Sequence, residues 1–321
     1  MTINKLEGIK PFNDLMLKSC YYNQLAAGYS AFGIDPKIIA CNYLQLYEFD
    51  EKTKKLDIKH IELLDESDLF DLTGIKRTFV EFAENLKNFV ITQIDNQCPV
   101  IIPVDGFSLT YRKDIYKKIH SGHFILIYGY DKHRNKFYIN EHAFLNSLDY
   151  REKFESIQTI SRAYKQFFSE LAKENKKLTI VLSRQKQPHG SFPVYYNKAI
   201  RKMDSQIIQS EKYLIQGIRF IKDCMSDDVE REKYQDQIIN FLGNIKWYKN
   251  LQNNIFHSIL NHIELQKVTE QIYENFIFIY GMIVKQKITG NINKTKLSDG
   301  FDRLECHERE FHRYLREVTI I

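Results

Sequence analysis

The sequence predicts an α+β domain, a helix plus an antiparallel sheet, followed by an all-α helical bundle. Three observations carry that prediction. Strand-like and helical patterns are mixed up to residue 187, and only helical spacing follows. Gly (13) and Pro (6) are scarce among 321 residues, which favours long uninterrupted elements. Hydrophobic residues reach 43% and charged residues 27%, enough to bury a core. At roughly 150 residues per domain, the length fits two. They are placed at 1–187 and 188–321, with the linker in QKQPHGSFP (Gln185–Pro193), which holds two of the six prolines.

Taken in order, Cys20 opens a helical run, YYNQLAAGYSAFGI, closed by Gly33. Asp35-Pro36 restarts a helix in cap-then-first-turn order, carrying Ile38, Ile39, Cys41 and Leu44. Leu56–Leu64 reads as a strand, and Ile75–Ile94 as an amphipathic helix with Phe79, Phe82, Leu86, Phe89 and Val90 on one side. Pro99–Asp105, His123–Tyr130 and Lys136–Glu141 read as strands, the last two joined as a hairpin by DKHRNK; Leu178–Ser183 adds another. Beyond the linker, Ile200, Met203, Ile207, Leu214, Ile218 and Ile221 follow helical spacing. So do Tyr234, Ile238, Leu242 and Ile245, and the series from Ile255 to Ile283. A last helix is expected over Asp299–Val318, and no repeat period is present.

Composition excludes several classes. The net charge of +5, spread along the chain, is too mild to argue for a nucleic-acid partner, and none is expected. The longest apolar run, Phe276–Val284, has nine residues against the ~20 of a membrane span, so no membrane partner is expected. The first twenty residues lack an apolar signal core, and a cytoplasmic location follows. Five cysteines (Cys20, Cys41, Cys98, Cys224, Cys306), odd in number and without CxxC, oppose a disulfide scaffold or zinc ribbon. Cys306, His307 and His312 lack a further ligand pair at proper spacing and read as a solvated helix face, so no metal is expected. The runs Lys52–Lys55 and Lys173–Lys177 read as solvated surface.

One constellation carries chemistry. Cys20 sits at a helix start, where unpaired backbone N–H groups and the dipole favour a thiolate. His123 opens the strand HFILIYGYD, and Asn140-Glu141 ends the next strand, FYINEH. A nucleophile on a helix start, with base and orienter on adjacent strands, is the order of papain-like cysteine enzymes. Taken alone, Cys20 reads as a small buried hydrophobe and His123 as a structural group; their joint order raises the functional reading. Strand alternation lets only one of Glu141 and Asn140 orient the imidazole, and the residues alone leave both open. Asp105, before Gly106, reads first as a turn-former and second as a contact for a cationic amine acceptor.

The segments CPVIIPVDGFSLTY (Cys98–Tyr111) and HSGHFILIYGYDKHRNKFYINE (His120–Glu141), with the Cys20 region, resemble the N-terminal domain family of butirosin biosynthesis protein H over residues 5–185. The resemblance implies a papain-like fold and acyl transfer in antibiotic or nonribosomal-peptide biosynthesis. An acyl or peptidyl carrier protein would donate an acyl group through Cys20 to a small-molecule amine. It implies Cys20 as nucleophile, His123 as base and Glu141 at the position of the family's Asp, so Glu141 is preferred as the third member and Asn140 is the alternative. No cofactor is implied beyond phosphopantetheine as part of the carrier substrate. Papain-like proteases place a Gln six residues before the Cys; here that residue is Asp14, so Asn13 or backbone must serve the oxyanion. The rival expectations are a thioesterase, amidase or peptidase, and a non-catalytic papain-like binding module.

Overall fold

The computed structural model describes residues 3–13, 19–142, 149–255 and 263–317. They form two compact units, Met1–Ala40 with Asp65–Ser191, and Cys41–Leu64 with Phe192–Ile321. The α+β-then-helical architecture is as the sequence predicts, and residues 41–64 group with the C-terminal helices.

The first unit is built on one antiparallel sheet. Its order is β4 (Ile75–Val80), β9 (Thr179–Arg184), β5 (Val100–Asp105), β6 (Gly122–Asp131), β7 (Lys136–His142) and β8 (Tyr150–Ser156), with β1 (Ile3–Lys5) pairing the far end of β6. Every residue of β5, VIIPVD, is buried, as expected of a continuous apolar strand covered on both faces. Helix α1 (Cys20–Ser30) packs on β6 and β5, and α5 (Ile157–Gln166) packs on β5. Gly28 permits the approach of α1, because a Cβ there would meet Leu182 Cδ1 at 2.6 Å. The β6–β7 hairpin forms with Leu126 opposite Asn140 and Asp131 opposite Lys136.

Two readings of local structure are corrected. The expected helix over Ile75–Ile94 is a strand followed by a shorter helix. IKRTFV pairs antiparallel with β9, its alternation burying Ile75 and Arg77, and Arg77 Nη2 meets Glu66 Oε1 at 2.7 Å. The helix α4 (Leu86–Asp95) starts only after Asn85, whose side chain accepts from Asn88 N–H, and it buries Leu86, Val90 and Ile94. The helix after Asp35-Pro36, α2 (Pro36–Cys41), stops before Leu44, and Tyr43–Asp50 forms strand β2 against β3 (Lys55–Glu62). The period-two alternation from Tyr43, YLQLYEFD with its aromatic residues Tyr43, Tyr47 and Phe49, outweighed the helical spacing. Helix α3 (Glu66–Thr73), β8 and α5 were not expected; α5 buries Ile157, Ile160, Ala163 and Tyr164 at helical spacing inside a polar segment.

In the second unit the β2–β3 hairpin joins α6 (Phe192–Lys202), α7 (Asp204–Ser226), α8 (Asp228–Ile255), α9 (Ile263–Thr289) and α10 (Lys294–Glu317). α8 packs on α9, α9 on α10 and α10 on α7, through the apolar stripes the spacing predicts. α10 begins earlier than Asp299 because Asn293 accepts from Lys296 N–H at 2.9 Å, and Val318 lies outside the described residues. Among the described residues no helix is long and apolar enough to cross a membrane.

Candidate active site

Cys20 is the first residue of α1. Ser19 precedes it in extended conformation, and its hydroxyl accepts from Tyr22 N–H at 3.4 Å. The cap fixes where the helix starts and so sets the thiol at the positive end of the α1 dipole. β6 runs beside α1 and presents His123 as its second residue; β7 returns and ends at Glu141-His142.

The three sequence-selected residues meet. His123 Nε2–H donates to Glu141 Oε1 at 2.8 Å, both side chains being buried. With Nε2 committed, Nδ1 is the ring nitrogen left for the hydrogen bond between His123 and the Cys20 sulfur. The Phe124 backbone N–H also donates to that sulfur. Burial pushes the Cys20 thiol up, but the hydrogen bond and charge of His123, with Phe124 N–H, outweigh it and hold it below the ordinary thiol value. His123 moves the other way: burial opposes its charge, yet Glu141 and then Cys20 raise it to about 10. Burial likewise opposes ionisation of Glu141, while the charge and hydrogen bond of His123, and Arg112, hold it at about 2. The site therefore favours a thiolate–imidazolium pair.

Glu141 is itself held from four directions. Oε1 accepts from His123 and from the backbone N–H of His142 (2.8 Å), Oε2 accepts from Tyr111 Oη (3.0 Å), and Arg112 Nη1 lies 3.7 Å from Oε1. Arg112 is 1% exposed and grips Asp114 with Nε (3.1 Å) and Nη2 (3.0 Å). Its Nη1 lies 2.9 Å from His142 Nε2; a guanidinium has no lone pair, so that ring nitrogen accepts. His123, Glu141 and His142 converge closely enough to hold a metal ion. The bond from Arg112 spends the His142 lone pair and sets a positive charge beside it, so the group fits a hydrogen-bonded cluster better than a cation.

The remaining candidates fall elsewhere. Asn140 faces away from His123: its Nδ2 donates to Gln24 Oε1 (3.0 Å), which also accepts from Leu126 N–H (3.1 Å). Asn13 is not aimed at Cys20. Its Nδ2 donates to Tyr150 O (2.9 Å) and its Oδ1 accepts from Tyr150 N–H (2.8 Å), so the amide is spent on the first residue of β8. Asp14 lies outside the described residues. Asp105 is buried and turn-forming: Oδ1 accepts from Phe107 N–H (3.0 Å) and Ser121 N–H (3.1 Å), and Oδ2 meets His120 Nδ1 at 2.6 Å. Those contacts engage both of its oxygens in the turn, and the side chain is 0% exposed.

Burial raises the thiols of Cys98 and of Cys224, the latter to about 11. The Cys41 side chain lies outside the described residues. His307 Nδ1 meets Asn275 Nδ2 (2.9 Å), and His312 Nδ1–H donates to the Glu308 carbonyl (2.7 Å), so the two histidines beside Cys306 serve different neighbours. Both lysine runs are exposed. Sequence reasoning missed Tyr111, Arg112, His142 and Tyr150. The available signal was weak: an arginine and a histidine in polar segments, whose burial only the fold reveals.

A search of the curated proteins finds no match to this chain. Residues 59–142, the stretch that carries His123 and Glu141, match the family described as Butirosin biosynthesis protein H, N-terminal, the family that the sequence resembles.

Proposed function

We propose that this chain is a cysteine acyltransferase of secondary metabolism, with Cys20 as nucleophile, His123 as acid and base, and Glu141 as the group that orients and charges His123. The observation that supports it is the Cys20–His123–Glu141 arrangement, with Glu141 2.8 Å from Nε2 of a histidine that hydrogen-bonds the thiol. The matched family's name supports the antibiotic-biosynthesis setting.

In the first step the Cys20 thiolate attacks the carbonyl carbon of an acyl carrier thioester. The bond to the carrier's pantetheine sulfur breaks, and that sulfur leaves with the proton of the His123 imidazolium. In the second, an amine on a small scaffold attacks the acyl-cysteine, neutral His123 takes the amine proton, and Cys20 departs as thiolate. The products are an amide and the free carrier thiol, and no cofactor of the chain's own takes part. The net charge of +5 suits an acidic carrier protein.

The test is intact-protein mass spectrometry after incubation with an acylated carrier. The expected result is a mass increase equal to the acyl group, absent from Cys20→Ala and discharged by an amine faster than by water. No adduct on the wild type, or an adduct that persists in Cys20→Ala, contradicts the proposal. Discharge at full rate without an amine would mark a hydrolase instead.

A further inference from the structure

With Asn13 spent, the oxyanion formed when Cys20 adds to a carbonyl has one donor accounted for, the helix-start N–H of Cys20 itself. A second polar group meets the first turn of α1. Tyr150, the first residue of β8, is 4% exposed and is fixed by three contacts. The Asn13 amide clamps its backbone on both sides, at 2.8 and 2.9 Å. Its ring stacks on His142 (centroids 5.3 Å apart, planes within 8°), and His142 stacks in turn on His123 at 4.4 Å. Its hydroxyl hydrogen-bonds the side chain of Asn23, three residues after Cys20 on the first turn of α1.

We infer that Tyr150 is a further catalytic residue: its hydroxyl donates to the oxyanion formed on the acyl group at Cys20. The inference rests on the acyl-enzyme reading of Cys20. The placement of Asn23 supports it: Asn23 Nδ2 donates to Ser19 O at 2.9 Å, so the Tyr150 hydroxyl that bonds this side chain is held at the turn of α1 that Cys20 opens. Burial, then the nearby charges of Cys20 and Glu141, holds the phenol well above its ordinary value, so Tyr150 keeps its hydroxyl proton across working pH. The role also gives Asn13 a purpose. Instead of facing the oxyanion it pins the residue that does.

Two reagents separate this role from a structural one. p-Nitrophenyl acetate acylates a thiolate by carbonyl addition: the C–S bond forms, the carbonyl pair moves onto oxygen, and collapse expels p-nitrophenolate. Iodoacetamide alkylates the same thiolate by direct displacement of iodide and forms no oxyanion. Tyr150→Phe keeps the ring on His142 and the backbone clamp and removes only the hydroxyl. The expected result is an acylation rate lower by about 10²–10³-fold, as for loss of one oxyanion donor, with the alkylation rate of Cys20 unchanged. His123→Ala serves as the contrast and slows both reactions. Equal loss of both rates in Tyr150→Phe, or loss of neither, overturns the inference. A wild-type Cys20 that reacts with neither reagent overturns the acyl-enzyme reading, and this inference with it.

Discussion

The Cys20–His123–Glu141 cluster of the N-terminal unit and the Lys249–Glu308–His312 cluster of the helical unit are both buried charge networks, and their electrostatics run in opposite directions. Lys249 Nζ lies 2.8 Å from Glu308 Oε1 and 2.9 Å from Oε2, with the Phe311 ring 4.7 Å and the Tyr47 ring 5.5 Å away. Burial lowers Lys249, raises Glu308 and pushes His312 down to about 3, so every member is driven toward neutrality. In the other cluster burial is overruled: Glu141 falls to about 2 and His123 rises to about 10. The difference lies in the surroundings. Tyr111, Arg112 and the His142 N–H are all turned on Glu141, whereas Lys249 is what offsets the burial of Glu308 among the described residues, with His312 Nδ1 3.9 Å away and itself held neutral. The N-terminal cluster also includes the partly exposed Cys20, while both side chains of the Lys249–Glu308 pair are 0% exposed. A perturbed buried group marks chemistry only where such a network ends at a surface a substrate can reach.

That contrast can be broken most severely at its reactive end. His123→Ala removes the strongest influence holding the Cys20 thiol down and the proton donor to the leaving group. Acylation of Cys20 is expected to fall by about 10²–10⁴-fold, read as the initial burst of p-nitrophenolate. Next comes the other cluster. Lys249→Met strands a buried carboxylate, and the expected cost in chemical denaturation is about 3–5 kcal/mol; adding Glu308→Leu should recover most of it, because a packed apolar pair replaces a buried ion pair at little cost.

A smaller effect probes what holds Glu141. Tyr111→Phe deletes the 3.0 Å hydrogen bond to Oε2. The expected loss is about 1.5–3 kcal/mol of stability, with the alkaline limb of the acylation pH profile moving below about 10, since a less firmly ionised Glu141 supports less imidazolium.

The gentlest distinction is in acid. Glu141 titrates lower folded than unfolded, so its contribution is present above an ordinary glutamate value of about 4.3 and is lost as pH falls toward about 2. His312 is also depressed, and its contribution is full above about 6.5 and lost as pH falls toward about 3. Hydrogen exchange resolved by peptide should show acid weakening of α10 setting in at higher pH than that of β7. The reverse order would contradict these assignments.

Much of this site was legible in the sequence because its members sit at element ends that local chemistry marks. Cys20 follows a capping serine, His123 opens an apolar strand, and Glu141 closes the next across a polar turn. Strand alternation said that only one of Glu141 and Asn140 could serve, the resemblance to the family preferred Glu141, and the structure turns them to different partners. What could not be read depends on distant pairing. IKRTFV has helical spacing with the Phe residues that follow it, and only β9 makes it a strand. Arg112 and Tyr150 sit in polar stretches, and nothing local says that the sheet will bury them. Asn13 was selected for its place before Cys20, but 137 residues away the backbone of Tyr150 claims its amide.

The most direct test of the central claim is the pH dependence of iodoacetamide labelling, resolved cysteine by cysteine in the full chain. The account predicts that Cys20 labels fastest and stays reactive well below the ordinary thiol value, while Cys98 and Cys224 label only as the pH rises past it. A Cys20 that labels no faster than Cys98 and Cys224, and with the same pH onset, would contradict it.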